Sequence, residues 1–213
     1  MKDYSSNSPR FTDKVLIVAS FNENKFREIS NFLERLNVPL LSLKSFPEIP
    51  EAPETGKTFA ENAQQKAEFY SKFLKGQPVV AEDSGLVVPS LDGFPGIHSA
   101  RIAQEDPSRI QAVLTRLADL EKEHSSKPSS RFAYYVCSMC FISGTNQCTV
   151  EARCEGSISE RPLGDSGFGY DPIFRPTGSR KTFGQMTLQE KSQYSHRAKA
   201  AEKLSPYIVK EFS

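Results

Sequence analysis

The 213-residue chain lacks several features that define large classes of proteins. No apolar run approaches the roughly 20 residues that a membrane-spanning helix needs, and no basic segment followed by an apolar one stands at the N-terminus. Lysine and arginine total 27 against 26 acidic residues, and the net charge of +1 gives no overall field that would concentrate the protein on nucleic acid or anionic membranes. We therefore expect a soluble, cytoplasmic protein with no nucleic-acid or membrane partner, in which any phosphate binding is local.

The sequence also lacks the common nucleotide-binding and hydrolytic motifs. No phosphate loop of the G-x-x-x-x-G-K type is present, and the glycines at 164, 167 and 169 do not match the dinucleotide fingerprint. With three histidines in the chain, no serine–histidine–acid triad is apparent. Cys137 and Cys140 form a C-x-x-C within a predicted strand, where side chains three residues apart face opposite sides and cannot close one zinc site without a turn between them. We interpret them as buried small apolar residues.

The spacing of apolar residues predicts alternating strands and helices. Strands are predicted at four short apolar runs, residues 15–19, 40–43, 79–81 and 86–88. Amphipathic helices are predicted over residues 26–36, 58–74, 110–120 and from about 195 onward, the last one broken near Pro206. Capping boxes at Thr58 with Glu61 and at Thr187 with Glu190 mark two helix starts. Two long strands, residues 132–142 and 147–158, flank a polar turn and predict an antiparallel hairpin.

These elements predict a single α/β domain. Residues 1–12 are polar and show no periodicity, so we expect a loose tail, and residues 13–213 carry the periodic elements. The alternation of strands and helices, together with the hairpin, favours a mixed, bent sheet flanked by helices, with two lobes around a central cleft.

One polar segment lies between the first predicted strand and its helix. It consists of Ser20, Phe21, Asn22, Glu23, Asn24 and Lys25. Free N–H groups at a helix start, together with one lysine, suit an anion. Many α/β proteins carry a polar turn at this position, so the segment alone does not establish a binding site.

Acidic residues gather in two places. Glu48, Glu51 and Glu54 occupy a proline-rich loop, where carboxylates usually face solvent, whereas Glu82 and Asp83 follow directly after an apolar strand. Carboxylates gathered without matched bases repel one another unless they share a cation. Oxygen ligands of this kind suit Mg²⁺ or Mn²⁺, which bind one or two carboxylates together with waters and substrate phosphates.

Two further segments combine functional groups with glycine or with a helix start. Residues 166–172 place Phe168 and Tyr170 beside glycines, which permits close approach to a ligand and stacking on a planar ring, or else a tight turn with two core aromatics. Lys191 and the group Ser195, His196 and Arg197 bring cationic side chains to the last helix, where a solvated charged face is the alternative.

In order and spacing, these segments resemble the inosine/xanthosine triphosphate pyrophosphatase family, also called Ham1-like proteins. The resemblance runs from about Val15 to Leu204. It is carried by residues 20–25, the E-T-G-K-T-F of residues 54–59 with the E-N-A of 61–63, the A-E-D-S-G of 81–85, the P-G-I-H-S-A-R of 95–101, the F-G-Y-D-P-I-F of 168–174, and the S-H-R of 195–197.

The resemblance implies an elongated α/β fold, a homodimer, and a Mg²⁺-dependent enzyme that cuts ITP, XTP and their deoxy forms to monophosphate and pyrophosphate, which cleanses the nucleotide pool. Asp83 corresponds to the family's proton acceptor and metal ligand. The substrate-binding positions correspond to Ser20, Phe21, Asn22, Glu23, Asn24, Lys25, Ser84, Phe168, Gly169, Tyr170, Asp171, Lys191, His196 and Arg197.

Three segments depart from the family's usual pattern. Phe21 replaces a small or polar residue, and Asn24 replaces a glycine, although the tolerance of asparagine for left-handed backbone could keep the turn. Glu82 stands where the family has a first aspartate. The loop has Pro53 before Glu54 rather than two glutamates, so the resemblance favours Glu54 as the second metal ligand and leaves Glu48 and Glu82 as alternatives.

Two other functions remain open on the sequence alone. One is a Maf-like nucleotide pyrophosphatase with a different base specificity, and the other is a nucleotide-binding module without catalysis. Under the favoured hypothesis, Asp83 takes a proton from the attacking water, Lys25 and Lys191 hold phosphates, and Phe168 or Tyr170 packs on the purine. His196 and Arg197 donate to its O6 atom, because such donors would meet an amino group in ATP.

Overall fold

The computed structural model describes residues 14–46, 48–74, 76–123 and 130–213. The predicted tail at residues 1–12 lies outside this part of the chain. Within it, no helix is both long and apolar enough to cross a membrane.

The described residues form a mixed sheet with helices, which confirms the α/β prediction. The elements in chain order are β1 (Leu16–Val18), α1 (Glu23–Leu33), β2 (Leu40–Ser42), α2 (Phe59–Phe73), β3 (Val79–Val87), α3 (Asp106–Glu123), β4 (Phe132–Ser143), β5 (Asn146–Ile158), β6 (Phe174–Pro176), α4 (Leu188–Ser192) and α5 (His196–Phe212). The strand order is β2-β1-β3-β4-β5-β6. β1 runs parallel to β2 and β3, whereas β5 and β6 are antiparallel. The two-residue turn between β4 and β5 forms the predicted hairpin.

The chain forms two compact units. Unit 1 comprises Met1–Asp83, Cys137–Ala152 and Arg197–Ser213, and unit 2 comprises Ser84–Val136 and Arg153–His196. β3, β4 and β5 therefore each contribute residues to both units.

In unit 1, apolar side chains pack on both faces of the sheet. Val80 belongs to a buried cluster with residues of α1 and α5, while its neighbours Val79 and Ala81 belong to a cluster with residues of α2. This alternation assigns one face of β3 to α1 and α5 and the other face to α2. Cys137 lies in the first cluster and Cys140 in the second, and both are free thiols, as the interpretation of the C-x-x-C requires.

Unit 2 has one apolar cluster. Residues of β3 and α3 pack there against four aromatic rings, those of Tyr135, Tyr170, Phe174 and Phe183. Phe174 and Phe183 are fully buried, with ring centroids 5.1 Å apart. The segment that follows the 168–171 loop is therefore held by the core of unit 2.

The acidic pair lies inside a strand rather than at the end of one. The separate strands predicted at 79–81 and 86–88 are wrong, because residues 79–87 form the single strand β3. Apolar runs alone suggested an interruption, but polar side chains do not end a strand whose backbone is paired with a neighbour. β1 pairs with β3 at Val79 and Val80, so Glu82 and Asp83 lie beyond the last β1 partner.

The predicted break of the last helix near Pro206 is also wrong, because α5 continues through that residue. Proline removes the N–H that would donate to the carbonyl four residues earlier, which is Glu202. The hydroxyl of Ser205 donates to that carbonyl over 2.8 Å and so supplies a replacement partner.

The capping boxes form unequally. At α4 both halves are present, since Thr187 accepts from the Glu190 N–H and Glu190 accepts from the Thr187 N–H. At α2, the Thr58 hydroxyl accepts from the Glu61 N–H over 3.1 Å, but the Glu61 carboxylate accepts from the backbone N–H of Lys57 rather than from that of Thr58. The second half of that predicted box is therefore displaced by one residue.

Candidate functional site

The two neighbouring carboxylates of β3 point to opposite faces of the sheet. Asp83 is two residues beyond Ala81 and faces α2, whereas Glu82 follows Val80 in the alternation and faces α1 and α5. Both side chains are buried, with Glu82 3% and Asp83 6% exposed. Adjacent positions in the sequence therefore lie in different surroundings.

Asp83 lies in a small polar cluster with two residues of α2 and one of the preceding loop. The Asn62 side-chain amide donates to Asp83 Oδ2 over 2.9 Å. Lys66 Nζ lies 3.4 Å from Asp83 Oδ1 and 2.6 Å from Glu54 Oε1. Asn62 and Lys66 are four residues apart, which places both on one face of α2. We call Asp83, Asn62, Lys66 and Glu54 the Asp83 cluster.

Burial and charge oppose each other in this cluster. Burial raises the pKa of Asp83 above its ordinary value, and the positive charges of Lys66 and Lys25 offset this only in part. Burial would lower the pKa of Lys66, but Asp83, Glu82 and Glu54 together raise it. The lysine stays charged, while Asp83 holds a proton more readily than an ordinary aspartate does.

Glu82 takes part in a separate network of ion pairs. Its Oε1 lies 2.6 Å from Lys25 Nζ, and its Oε2 lies 3.5 Å from Arg197 Nε. Arg197 Nη1 also donates to Glu28 Oε2 on α1 over 3.0 Å. Burial alone would raise the pKa of Glu82, but Lys25, Arg197 and Lys66 hold it well below its usual range. We call Glu82, Lys25, Arg197 and Glu28 the Glu82 network.

Some polar groups of the segment between β1 and α1 form hydrogen bonds within the segment itself. Asn22 caps α1, and its side-chain oxygen accepts from the N–H groups of Asn24 and Lys25 over 3.0 and 3.1 Å. The expectation that these N–H groups are free for an anion is therefore wrong. Asn24 is the second residue of α1, so the proposed left-handed turn at that position is also wrong.

The other side chains of this segment differ in exposure. The Ser20 hydroxyl accepts from the Asn22 N–H over 3.2 Å. Phe21 is half-buried and packs edge-on against Tyr70, with centroids 6.3 Å apart. Glu23 is exposed and pairs with Lys44. Lys25 differs from them, because its ammonium group pairs with the buried carboxylate of Glu82.

In unit 2, the loop at residues 168–171 is held by buried polar contacts. Asp171 Oδ2 accepts from the Phe168 N–H over 2.9 Å and lies 2.5 Å from Lys191 Nζ. The Tyr170 hydroxyl donates to the Ser99 carbonyl over 2.8 Å, and its ring belongs to the core. Phe168 is only half-buried, so it is the aromatic ring of this loop that can contact a ligand.

Lys191, His196 and Arg197 do not form a solvated helix face. Their exposed fractions are 3%, 0% and 4%. In unit 2, the His196 ring stacks on Tyr135 with centroids 4.6 Å apart and planes inclined by 3°, and Lys191 Nζ lies 5.1 Å from the Phe168 ring centroid. The alternative that these residues form a solvated, charged helix face is therefore excluded.

The remaining predicted residues occupy more open positions. Ser84 is half-buried on β3, directly after Asp83, and Gly169 is half-buried in the 168–171 loop. Glu48 and Glu51 are exposed, whereas Glu54 is half-buried against Lys66. Glu54 thus pairs with the lysine that also contacts Asp83.

Comparison with known proteins shows the family of the chain. The sequence model of the Ham1 family matches residues 16–207. The chain belongs to the Ham1 family.

Among its Ham1 relatives, a protein of Geobacillus kaustophilus named dITP/XTP pyrophosphatase is 43% identical over 192 residues, which cover 90% of this chain and 92% of the relative. A Prochlorococcus marinus protein of the same name is 40% identical over 95% of both chains. The solved HAM1 protein of Coxiella burnetii superposes with a TM-score of 0.80 at 33% identity, over 93% of this chain and 100% of its own.

Three residues that contact predicted site residues were not singled out from the sequence of this Ham1 protein. Lys66 pairs with Asp83, Glu28 pairs with Arg197, and Tyr135 stacks on His196. Asn62, which donates to Asp83, was named only as part of the E-N-A motif and without a role in the site. Lys66 follows Asn62 of the T-F-x-E-N-A motif by four residues, which places both on one face of the helix. This spacing was the only indication of Lys66 in the sequence. Nothing in the local sequence marks Glu28 or Tyr135, because their partners are distant along the chain.

The Asp171–Lys191 pair generates a stability prediction. Asp171→Asn should lower the free energy of unfolding by about 3–5 kcal/mol, because the buried Lys191 ammonium loses the carboxylate it pairs with. Denaturant unfolding at neutral pH measures this. The matched control is Asp119→Asn, which alters an exposed pair with Lys122 and should change stability by less than about 1 kcal/mol. Equal stability of the two variants would contradict the assignment.

Proposed function

We propose that this protein hydrolyses non-standard purine nucleoside triphosphates, ITP, dITP, XTP and dXTP, to the monophosphate and pyrophosphate. The Asp83 cluster is the observation that carries the proposal, because a buried carboxylate with a raised pKa lies there beside a lysine that stays charged. Relatives named dITP/XTP pyrophosphatase at about 40% identity support the substrate class. The cellular role would be to keep these nucleotides out of DNA and RNA.

Asp83 is proposed as the proton acceptor for the attacking water. An ordinary aspartate has a pKa near 4 and is a weak base for water. Burial raises the pKa of Asp83 and so moves it toward a useful range, while the Asn62 amide fixes one carboxylate oxygen. The other oxygen faces Lys66, whose charge is suited to a nearby phosphate oxygen.

Mg²⁺ is the cofactor that we propose, with Mn²⁺ as a substitute. Asp83 and Glu54 offer the carboxylate oxygens that these ions prefer, and one or two such ligands suffice when water and phosphate complete the shell. Lys66 contacts both carboxylates, so a cation already balances them in this arrangement. In the described residues, no group of three or more acidic, histidine or cysteine side chains could hold a metal. When bound, Mg²⁺ would polarise phosphate oxygens and lower the pKa of water.

The second metal ligand is proposed to be Glu54 rather than Glu82 or Glu48. The Glu82 carboxylate is engaged by Lys25 and Arg197 on the opposite face of β3 from Asp83. Glu48 is exposed in the loop. Glu54 lies within 2.6 Å of the same lysine that contacts Asp83.

Base recognition is proposed to use two residues of unit 2, Phe168 for stacking and His196 for a hydrogen bond to a keto purine. The role of Arg197 toward the base stays a prediction from the sequence, because its guanidinium pairs with Glu28 and Glu82. Phe168 is the half-buried aromatic ring of its loop, whereas Tyr170 is committed to the core. A donor that suits O6 of inosine would meet the amino group of adenine, and a buried mismatch of this kind can lower the rate by orders of magnitude.

The homodimer and the cytoplasmic location expected from the sequence remain proposals. Phe132 is 41% exposed and lies beside Tyr134 on β4, with ring centroids 6.2 Å apart. An exposed aromatic ring beside the half-buried ring of Tyr134 is compatible with a second copy of the chain as the partner.

The reaction is tested by incubating the protein with ITP, XTP, dUTP, 5-methyl-UTP, GTP or ATP, with and without Mg²⁺, and identifying the products. We expect pyrophosphate and monophosphate from ITP and XTP, only with the metal, and at least about tenfold less from ATP. Preference for the pyrimidine nucleotides would favour a Maf-like enzyme. Binding of ITP without any product would favour a module without catalysis.

Asp83→Asn tests the catalytic carboxylate. Turnover of ITP should fall by at least about 100-fold, because proton transfer by a positioned group contributes on that order or more. Binding of ITP, followed by calorimetry, should survive. The control is Glu51→Gln, an exposed glutamate in the loop that carries Glu54, which should keep the wild-type rate. Wild-type turnover by Asp83→Asn would show that another group accepts the proton.

A further inference from the structure

The loop at residues 168–171 depends on a carboxylate outside every motif named above. Asp106 Oδ2 accepts from the Gly169 N–H over 2.6 Å. Asp106 is the first residue of α3, and 63 positions separate it from Gly169 along the chain. A charged acceptor makes this bond stronger than one between neutral groups.

Asp106 is itself held in a fixed orientation. Its Oδ1 accepts from Arg109 Nη1 over 2.7 Å, one turn further along α3. Arg109 also donates from Nε to the Ala103 carbonyl over 2.7 Å and from Nη2 to the Gln104 carbonyl over 3.1 Å. The arginine thereby joins the start of α3 to the segment before it, and the carboxylate is presented to Gly169 from a rigid support.

The bond from Asp106 acts on the peptide group that carries Phe168. Tyr170 is fixed separately by Ser99 and by the core, and Asp171 is fixed by Lys191. Gly169 has a φ of +63°, a conformation open to glycine but costly for other residues. Glycine can also adopt many other backbone conformations. An acceptor for the Gly169 N–H is therefore needed to keep the Phe168–Gly169 peptide group in one orientation.

We propose that Asp106 is a positioning residue for Phe168 and thereby sets the affinity of the protein for the purine base. This inference rests on the proposed function, in which Phe168 stacks on the base. Loss of the Asp106 carboxylate would leave the chemistry at Asp83 unchanged and weaken the binding of substrate and transition state alike. Such uniform weakening raises KM and leaves kcat nearly constant.

The test compares Asp106→Ala and Asp106→Asn in steady-state hydrolysis of ITP. Asp106→Ala should raise KM about tenfold, in the range of one hydrogen bond to a charged group, with kcat within about twofold of wild type. Asp106→Asn should recover part of the affinity, because its side-chain carbonyl can still accept from Gly169, although its NH2 group then faces the Arg109 Nη1 donor. The control is Asp119→Ala, an exposed position on the same helix, which should match wild type.

Hydrogen exchange at the Gly169 amide gives a readout that does not depend on activity. Protection should be lost in Asp106→Ala and retained in Asp106→Asn. An unchanged KM in Asp106→Ala despite lost protection would overturn the proposal, as would equal loss of kcat and thermal stability in both Asp106 variants. If wild-type protein neither binds nor hydrolyses ITP, the proposed function fails, and the role of Asp106 toward the base fails with it. If wild-type turnover is normal and only the KM shift is absent, the proposed function stands and the Asp106 inference alone is rejected.

Discussion

The alternation of side chains along β3 is the constraint on which the candidate site depends. Because successive residues of a strand face opposite sides, Glu82 and Asp83 cannot share one environment. β1 pairs with β3 only as far as Val80, so both carboxylates lie just beyond the end of that neighbour. Helices cover both faces there, and each carboxylate meets basic residues supplied by a different set of elements.

The two surroundings give the carboxylates opposite properties. Lys25 and Arg197 stabilise the charged form of Glu82 and lower its pKa, which makes it an anchor for the cations around it. Asp83 has fewer compensating charges, and its burial raises the pKa, so the fold disfavours its ionised form. A group of this second kind is more often found at an active site than in a structural ion pair, because the fold maintains it at a cost in stability.

Local patterns in the sequence predicted most elements of the fold, and the wrong or absent predictions have physical causes. Apolar periodicity located most strands and helices, but it did not predict the short strand β6 and it divided β3 at the acidic pair, since hydrophobicity carries no information about backbone pairing. Lys66 was missed because a lysine on an amphipathic helix normally faces solvent, and only the fold shows that it meets Asp83. The half-formed capping box at Thr58 depended on the backbone N–H of Lys57, and the intact helix at Pro206 depended on the Ser205 hydroxyl. The motif rules consider neither group.

In this account, the fold stabilises the charged form of Glu82 and disfavours the charged form of Asp83. The most direct test measures the unfolding free energies of Glu82→Gln and Asp83→Asn side by side, at neutral pH and without nucleotide or metal. Neutralising Glu82 removes a carboxylate whose charged form the fold stabilises, so stability should fall by about 3–5 kcal/mol. Neutralising Asp83 removes a charge that the fold disfavours, and Glu54 still pairs with the buried Lys66 ammonium, so stability should fall by less than about 1 kcal/mol or rise. Equal losses, or the larger loss at Asp83, would contradict the account.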